Sequence, residues 1–451
     1  MTLILRPMCY DIVIHGGTII TVNPEFEIIA NGLICIDNGR ITRVDTCRRE
    51  DALRLPEASK TIDADGAMIL PGLVNTHNHM PMTLFRGLAD DLPLQEWLEE
   101  TIFPAEAQYI NPESVRIGAS LACAEMIMSG TTTCCDGYFL ENSVARAVAD
   151  CGLRAVLGQG VIDSPAPGVP DPGDNVATAG AFVEKWQDAS PLINPSIFCH
   201  SPYTCSTETL QAAKKAADRY QVVFQIHAAE TRQECELILS RHNTTPVQYL
   251  DRIGVLDCNT LLVHGIWLDE TDMEIIARRD AAVAHSPESN MKLASGVAPV
   301  PDLIRHGIAV GLGTDGCASN NNLDLFETMD ITAKLHKVQR LDPTTADANA
   351  VLYLATMGGA RAVGMEQDIG SIEVGKRADL IIVDGEQPHL VPLYHPVSQI
   401  VYAASGSDVT TVVIDGRVVL ENGRPVTFVL EKVLGDTVEL VKGLNIGGHQ
   451  K

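Results

Sequence analysis

The chain of 451 residues is long enough for one large domain with a smaller companion, and its 45% hydrophobic and 20% charged residues are those of a folded globular protein rather than a disordered one. Its 33 basic against 58 acidic residues give a net charge of −25, which opposes nucleic acid and anionic membrane surfaces and leaves a small, neutral or weakly charged substrate as the fitting partner. No apolar run reaches the ~20 residues that span a bilayer, and Met1-Thr2-Leu3-Ile4-Leu5-Arg6 is too short and wrongly ordered for a secretory signal.

In chain order, the first ~65 residues read as short strands over Asp11 to Val22, Gly32 to Asp37 and Arg40 to Val44, with Asn38-Gly39 as a hairpin turn. The same style returns in Ala378 to Asp384, Ser398 to Ala403 and Thr410 to Leu420, with a turn at Asp415-Gly416. Neither stretch has the material for its own core. We therefore expect one small, sandwich-like β-domain built from residues 1–66 and 366–425, and a helical tail over 426–451.

Between them, over 67–365, apolar β-type runs alternate with helical stretches, the pattern of a parallel sheet of βα units. The runs end near His77/His79, Asp136, Gly158, His200, His227, His264, His285 and Asp315, and eight such units suggest a closed (β/α)₈ TIM barrel. Periodicity alone does not separate a barrel from an open sheet, but in a barrel those ends converge on one mouth, where active sites of this fold lie. Ser164 to Asp174, with four prolines and two glycines, reads as a long loop beside that mouth.

His77 and His79 share one face of a strand because side chains at i and i+2 point the same way. With His227 and Asp315 they form a candidate four-ligand set for one divalent metal, zinc being the ion that three imidazoles, a carboxylate and an open water position suit best. Singly, each has a plainer reading as a strand-end or turn residue. Glu230, three residues after His227, is placed for general acid/base work, its alternative being a helix N-terminal glutamate favoured by the macrodipole. His264 and His285 are candidate pocket residues or structural histidines, and His264 is placed to steady an oxygen.

Strand four, Asn194 to His200, contains no lysine to bridge a second metal, which favours one ion. Gly311-Leu312-Gly313 does not extend to a dinucleotide fingerprint, and His15-Gly16-Gly17 has no G-x-S-x-G partner. The twelve cysteines include no C-x-x-C pair and sit in apolar segments such as Leu121-Ala122-Cys123, so free thiols in a reducing, cytoplasmic location are expected.

Five blocks occur in order: Pro71 to His79, Met82-Thr83-Leu84-Phe85-Arg86-Gly87, His200-Ser201-Pro202-Tyr203, His285-Ser286-Pro287-Glu288-Ser289-Asn290, and Gly313 to Asn321. On these the chain resembles the amidohydrolase superfamily, and within it the methylthioadenosine/S-adenosylhomocysteine deaminases and their chlorohydrolase relatives. The resemblance implies the barrel, the split β-domain and the metal ligands His77, His79, His227 and Asp315. It also implies substrate contacts at Trp97, Glu106 (to a ribose diol), His200, Glu230 and Ser319, with Glu230, His264 and Asp315 as catalytic groups. One departure stands out: where the family carries an arginine after the third strand this chain has Gln159, and no Lys or Arg occurs between Arg154 and Lys185.

The expected function is hydrolytic deamination of an adenine nucleoside, 5′-methylthioadenosine or adenosine ahead of S-adenosylhomocysteine, by a homo-oligomeric enzyme. The alternatives are a hydrolase of s-triazines or another aminated heterocycle, for which Gly370 to Leu380 also matches, and a non-catalytic scaffold.

Overall fold

The computed structural model describes residues 9–47, 55–88, 90–92 and 96–444. Eight parallel strands pair in sequential order: β1 Leu73–Asn78, β2 Thr131–Tyr138, β3 Arg154–Val161, β4 Ile193–Cys199, β5 Phe224–Ala228, β6 Thr260–His264, β7 Ala282–His285 and β8 Val310–Leu312. Helices such as Pro112–Met128, Thr207–Tyr220 and Leu325–Arg340 connect them, so the chain is a (β/α)₈ barrel.

Among the described residues no ladder joins β8 to β1; a seam of specific contacts closes the ring. Thr76 Oγ1 donates to Leu312 O at 2.9 Å, Asn75 Nδ2 donates to Thr314 Oγ1 at 2.8 Å, and Asp315 N–H donates to His77 O at 3.0 Å. Gly311 and Gly313 allow this approach. A Cβ at Gly311 would lie 2.3 Å from Thr76 Cγ2, and one at Gly313 would lie 2.9 Å from His77 N. The Gly-x-Gly pattern thus serves barrel closure.

Two sheets form the smaller unit. One has four strands in the order Arg40–Thr46, Gly32–Asp37, Tyr10–His15, Ala58–Asp63. The other has seven, in the order Arg424–Pro425, Arg417–Glu421, Val409–Ile414, Leu380–Val383, Met68–Pro71, Thr18–Ile20, Ile28–Ile29. Ile12, Ile14 and Ile34 of the first meet Ile19, Ile69 and Leu380 of the second in one buried cluster, a two-sheet sandwich made from both ends of the chain.

Three details differ from the sequence expectation. Asp11 to Val22 is two strands in different sheets, because Gly16, at φ +100°, turns the chain from one to the other, where a Cβ at Gly17 would lie 2.7 Å from Ala64 O. Ser398 to Ala403 is not extended: Pro396–Tyr402 is a helix with Pro at its first turn and Val397, Ile400 and Val401 buried at helical spacing. Met68–Pro71, expected at the start of the barrel segment, lies in the seven-stranded sheet. The tail forms the helix Leu430–Leu444.

A buried ion pair joins the two units. Arg154, at the start of β3, donates from Nε and one terminal nitrogen to the two oxygens of Asp379 at 2.8 and 3.0 Å, and from the other terminal nitrogen to Pro191 O at 3.1 Å. Both side chains are 1% exposed. Removing Asp379 leaves the buried Arg154 guanidinium with Asp415 Oδ1, at 3.4 Å, as its remaining carboxylate partner, so Asp379→Ala is expected to cost about 3 kcal/mol, the low end for a broken buried pair. Denaturant unfolding checks this, with turnover per folded molecule unchanged.

Candidate active site

The C-terminal ends of β1, β5, β6 and β8 bring their polar side chains to one point. His77 Nε2 and His79 Nε2 each lie 3.4 Å from Asp315 Oδ1, and His227 Nε2 lies 3.2 Å from His77 Nε2. His264 belongs to the same knot, since donor atoms of His77, His264 and Asp315 also lie within 4.8 Å of one another. Burial holds His77 at about 4 and His227 well below the usual imidazole range, so both are neutral and offer lone pairs at physiological pH.

The donor set fits a metal. Two atoms bound tetrahedrally to one zinc at 2.0–2.1 Å stand about 3.3–3.4 Å apart, and the separations of 3.2 to 3.4 Å found here match that spacing. Outer partners orient the ligands. His79 Nδ1–H donates to Gly137 O at 2.6 Å, which leaves Nε2 free, and Ser289 Oγ–H donates to Asp315 Oδ2 at 2.6 Å, which leaves Oδ1 facing the histidines.

Glu230 Oε1 lies 3.8 Å from His264 Nε2, while His264 Nδ1 bonds Asn290 Oδ1 at 2.9 Å. Burial raises the Glu230 carboxyl above the ordinary range, as suits a group that must hold and give a proton. Ala229, His264 and Asp315 have positive φ values of 54°, 73° and 63°. Non-glycine residues held there store strain, and three cluster at this mouth.

These groups form the floor of a cavity of about 500 Å³. Trp97, Glu106, His200, Glu230, His264, Asp315 and Ser319 all line it, with His79 and His227; His77 lies beneath, fully buried. The opposite wall is apolar, with Phe103, Phe139, Ile162 and Pro165, Pro167 and Pro170 of the long loop. Among the described residues, no Lys or Arg lines the cavity. Gln159 does not line it either: it is buried and accepts the Glu141 N–H at 3.2 Å, behind the wall. His285 also lies away from the cavity, its Nε2 3.4 Å from His336 Nε2.

Sequence reasoning missed several neighbours. Tyr138 O–H donates to Glu106, with nothing in the local sequence to connect them. Ser289 and Asn290 sit inside a quoted block, but only the fold shows which side chains they hold.

Glu106 is 5% exposed, and burial pushes its carboxyl up to about 7 against the pull of the Tyr138 hydrogen bond. Between its ordinary 4.5 and about 7 the native state binds a proton that the unfolded chain has released, so this group's contribution to stability falls as pH rises through that window. Above it, the ionised carboxylate costs on the order of 3 kcal/mol. Glu106→Gln is therefore expected to melt higher than the parent at alkaline pH and alike at pH well below the window, which thermal melts at the two pH values test.

A (β/α)₈ barrel whose polar cluster lies at the C-terminal mouth is the architecture of an enzyme. The amidohydrolase family model matches residues 68–419, and the chain belongs to that family. It is 47% identical over 424 residues to a 5-methylthioadenosine/S-adenosylhomocysteine deaminase of Syntrophobacter fumaroxidans, covering 94% of this chain and 96% of the relative. It is 42% identical to a 5′-deoxyadenosine deaminase of Methanopyrus kandleri, covering 96% of this chain and 98% of the relative. Among solved structures, a zinc-bound adenosine deaminase from Xanthomonas campestris superimposes with a TM-score of 0.94 at 36% identity, covering 97% of this chain and 99% of that one.

Proposed function

We propose that the chain is a metal-dependent aminohydrolase that deaminates adenine nucleosides with a neutral 5′ substituent, such as 5′-methylthioadenosine, 5′-deoxyadenosine or adenosine. The observation that carries this is one cavity holding both the histidine–carboxylate knot and, in its wall, the buried Glu106. A carboxylate held there is an acceptor for the two hydroxyls of a ribose. The family relatives named above, all of which act on such nucleosides by name, support the reading.

In this reading His77, His79, His227 and Asp315 hold one divalent ion, zinc by the donor chemistry. The ion supplies Lewis acidity that lets water ionise near neutrality. Glu230 gives a proton to the ring nitrogen beside the amino-bearing carbon. Asp315 takes one proton of the attacking water and passes it to the departing amine, and the hydroxyl's remaining proton returns to Glu230 as the carbonyl forms, so that a C–O bond forms, the C–N bond breaks and ammonia leaves. His264, oriented by Asn290, steadies the oxygen. Trp97, His200 and Ser319 complete the nucleoside contacts, and Glu106 accepts from the ribose; the ionised carboxylate is the stronger acceptor, so binding strengthens as pH rises through about 7.

Among the described residues the lining holds carboxyl groups but no cation, and this sets the substrate's charge. An amino-acid carboxylate brought into this cavity finds no cation, a loss comparable to a charged hydrogen bond of about 1.5–3 kcal/mol. S-adenosylhomocysteine is therefore expected to show a kcat/KM about 10–10²-fold below that of 5′-methylthioadenosine.

The test is an ammonia-release screen of the zinc-loaded protein against these nucleosides, S-adenosylhomocysteine, guanine, cytosine and aminated triazines. Activity confined to triazines would overturn the nucleoside reading, and silence throughout with metal bound would favour a scaffold. We place the enzyme in the cytoplasm as a homo-oligomer without nucleic-acid partners. The free and mostly buried cysteines support the location and the charge of −25 the lack of nucleic-acid partners, and no helix among the described residues is long and apolar enough to cross a membrane.

A further inference from the structure

Thr231-Arg232-Gln233-Glu234 opens the helix Arg232–His242 with the pattern of a capping box, in which the glutamate three residues in returns to the N–H of the capping residue. Only half of that box is made. Thr231 Oγ1 accepts the Glu234 N–H at 3.1 Å, but the Glu234 carboxylate bypasses Thr231: Oε2 accepts the Glu230 N–H at 2.8 Å and Oε1 the Ala229 N–H at 2.9 Å. The side chain is 4% exposed, so both oxygens are committed away from water.

The diversion falls on the strained residue that precedes Glu230. Ala229 is left-handed, at φ 54°. A non-glycine residue there is strained and relaxes unless its surroundings hold it. Two successive N–H groups turn toward one acceptor in such a conformation, as in an anion-binding nest. The other side of the same peptide is held as well: Ala229 O accepts the N–H groups of Ile266 and Trp267, both at 2.9 Å, and Ala228 O accepts that of Gly265 at 3.2 Å. Those donors follow directly on His264, itself at φ 73°. Glu234 thus closes a backbone clamp that ties the Glu230 segment to the His264 segment, whose side chains face each other at 3.8 Å.

We propose that Glu234 is a positioning residue for Glu230: its carboxylate locks the Ala229–Glu230 backbone in the conformation that aims Glu230 at His264 and the cavity, an inference that rests on the proton-transfer role given to Glu230 above. The chemistry explains why a carboxylate is used. Both partners are donors, so only a side chain with two acceptors satisfies them, and a carboxamide would set its own N–H₂ against one. Asp at this position keeps the charge but is one methylene too short to reach both.

The experiment compares Glu234→Gln, Glu234→Asp, Glu230→Gln and the Glu230→Gln/Glu234→Gln double variant, each zinc-loaded, with kcat read per metal-bound folded site. Displacement of a reacting group by about 1 Å costs up to ~10²-fold, so both Glu234 variants are expected to lower kcat ~10–10²-fold. KM should stay within about twofold and metal content unchanged, because Glu234 touches neither ligands nor substrate wall. In the Glu230→Gln background the second substitution is expected to change kcat by less than about twofold, since residues that act through one group are not additive. Unchanged kcat in both Glu234 variants, or an equal loss in the two backgrounds, would overturn the clamp alone. Full turnover in Glu230→Gln would overturn the acid–base reading first and the clamp with it.

Discussion

Glu230→Gln is expected to lower kcat by ~10²–10⁴-fold while the protein keeps its metal and its melting temperature. The substitution preserves shape and hydrogen-bonding capacity but leaves no titratable proton to give. Glu230 is not one of the donor residues of the histidine–carboxylate knot; the member of it that Glu230 faces is His264, at 3.8 Å. Burial raises its carboxyl, so in the parent the protonated form persists to higher pH than on an exposed glutamate, and turnover should decline as pH rises past that raised value. The carboxamide variant should lose that limb of the pH–rate profile together with the rate. Steady-state kinetics across pH, paired with metal analysis, checks both parts. A variant that retained parental kcat would remove Glu230 from the chemistry.

How much of this was legible in the chain depends on the range of the forces involved. The barrel was legible because burial on both faces of a parallel strand writes a continuous apolar run, and a polar residue at the end of such a run has one place to go, the mouth. Hence His77, His79, His227, His264 and Asp315 could be grouped from spacing alone, and the structure places them within one cavity and its floor. His285 ends its strand in the same way yet packs against His336, because its partner lies on a helix 51 residues on, a separation no local pattern encodes. The split of Asp11 to Val22 turned on close packing at Gly16-Gly17, and the helix at Pro396 on which face of a short apolar stretch finds a neighbour. Glu234 shows the limit most sharply: Thr-x-x-Glu predicts a cap, and only the three-dimensional position of Ala229 diverts the carboxylate.

Stripping the protein with a strong chelator is expected to abolish turnover and lower the melting temperature, with added zinc restoring both. His77 lies 3.2 Å from His227, His77 and His79 each lie 3.4 Å from Asp315, and the imidazoles of His77 and His227 are neutral by burial, so the native state presents a ready donor set that the unfolded chain lacks. An ion that binds only the native state at a thousandfold its dissociation constant adds about 4 kcal/mol to stability. The chelated protein gives that up. The sign with pH is fixed by the ligands: binding requires unprotonated imidazoles, so affinity weakens as pH falls, and the gap in melting temperature between zinc-loaded and chelated protein should narrow on acidification. Differential scanning calorimetry of the two forms over a pH series, with metal content measured on each sample, tests this. Full turnover by protein shown to be metal-free would overturn the metal reading. So would a melting temperature indifferent to zinc, because a set of buried donors 3.2 to 3.4 Å apart cannot bind an ion tightly in the native state and leave stability unmoved.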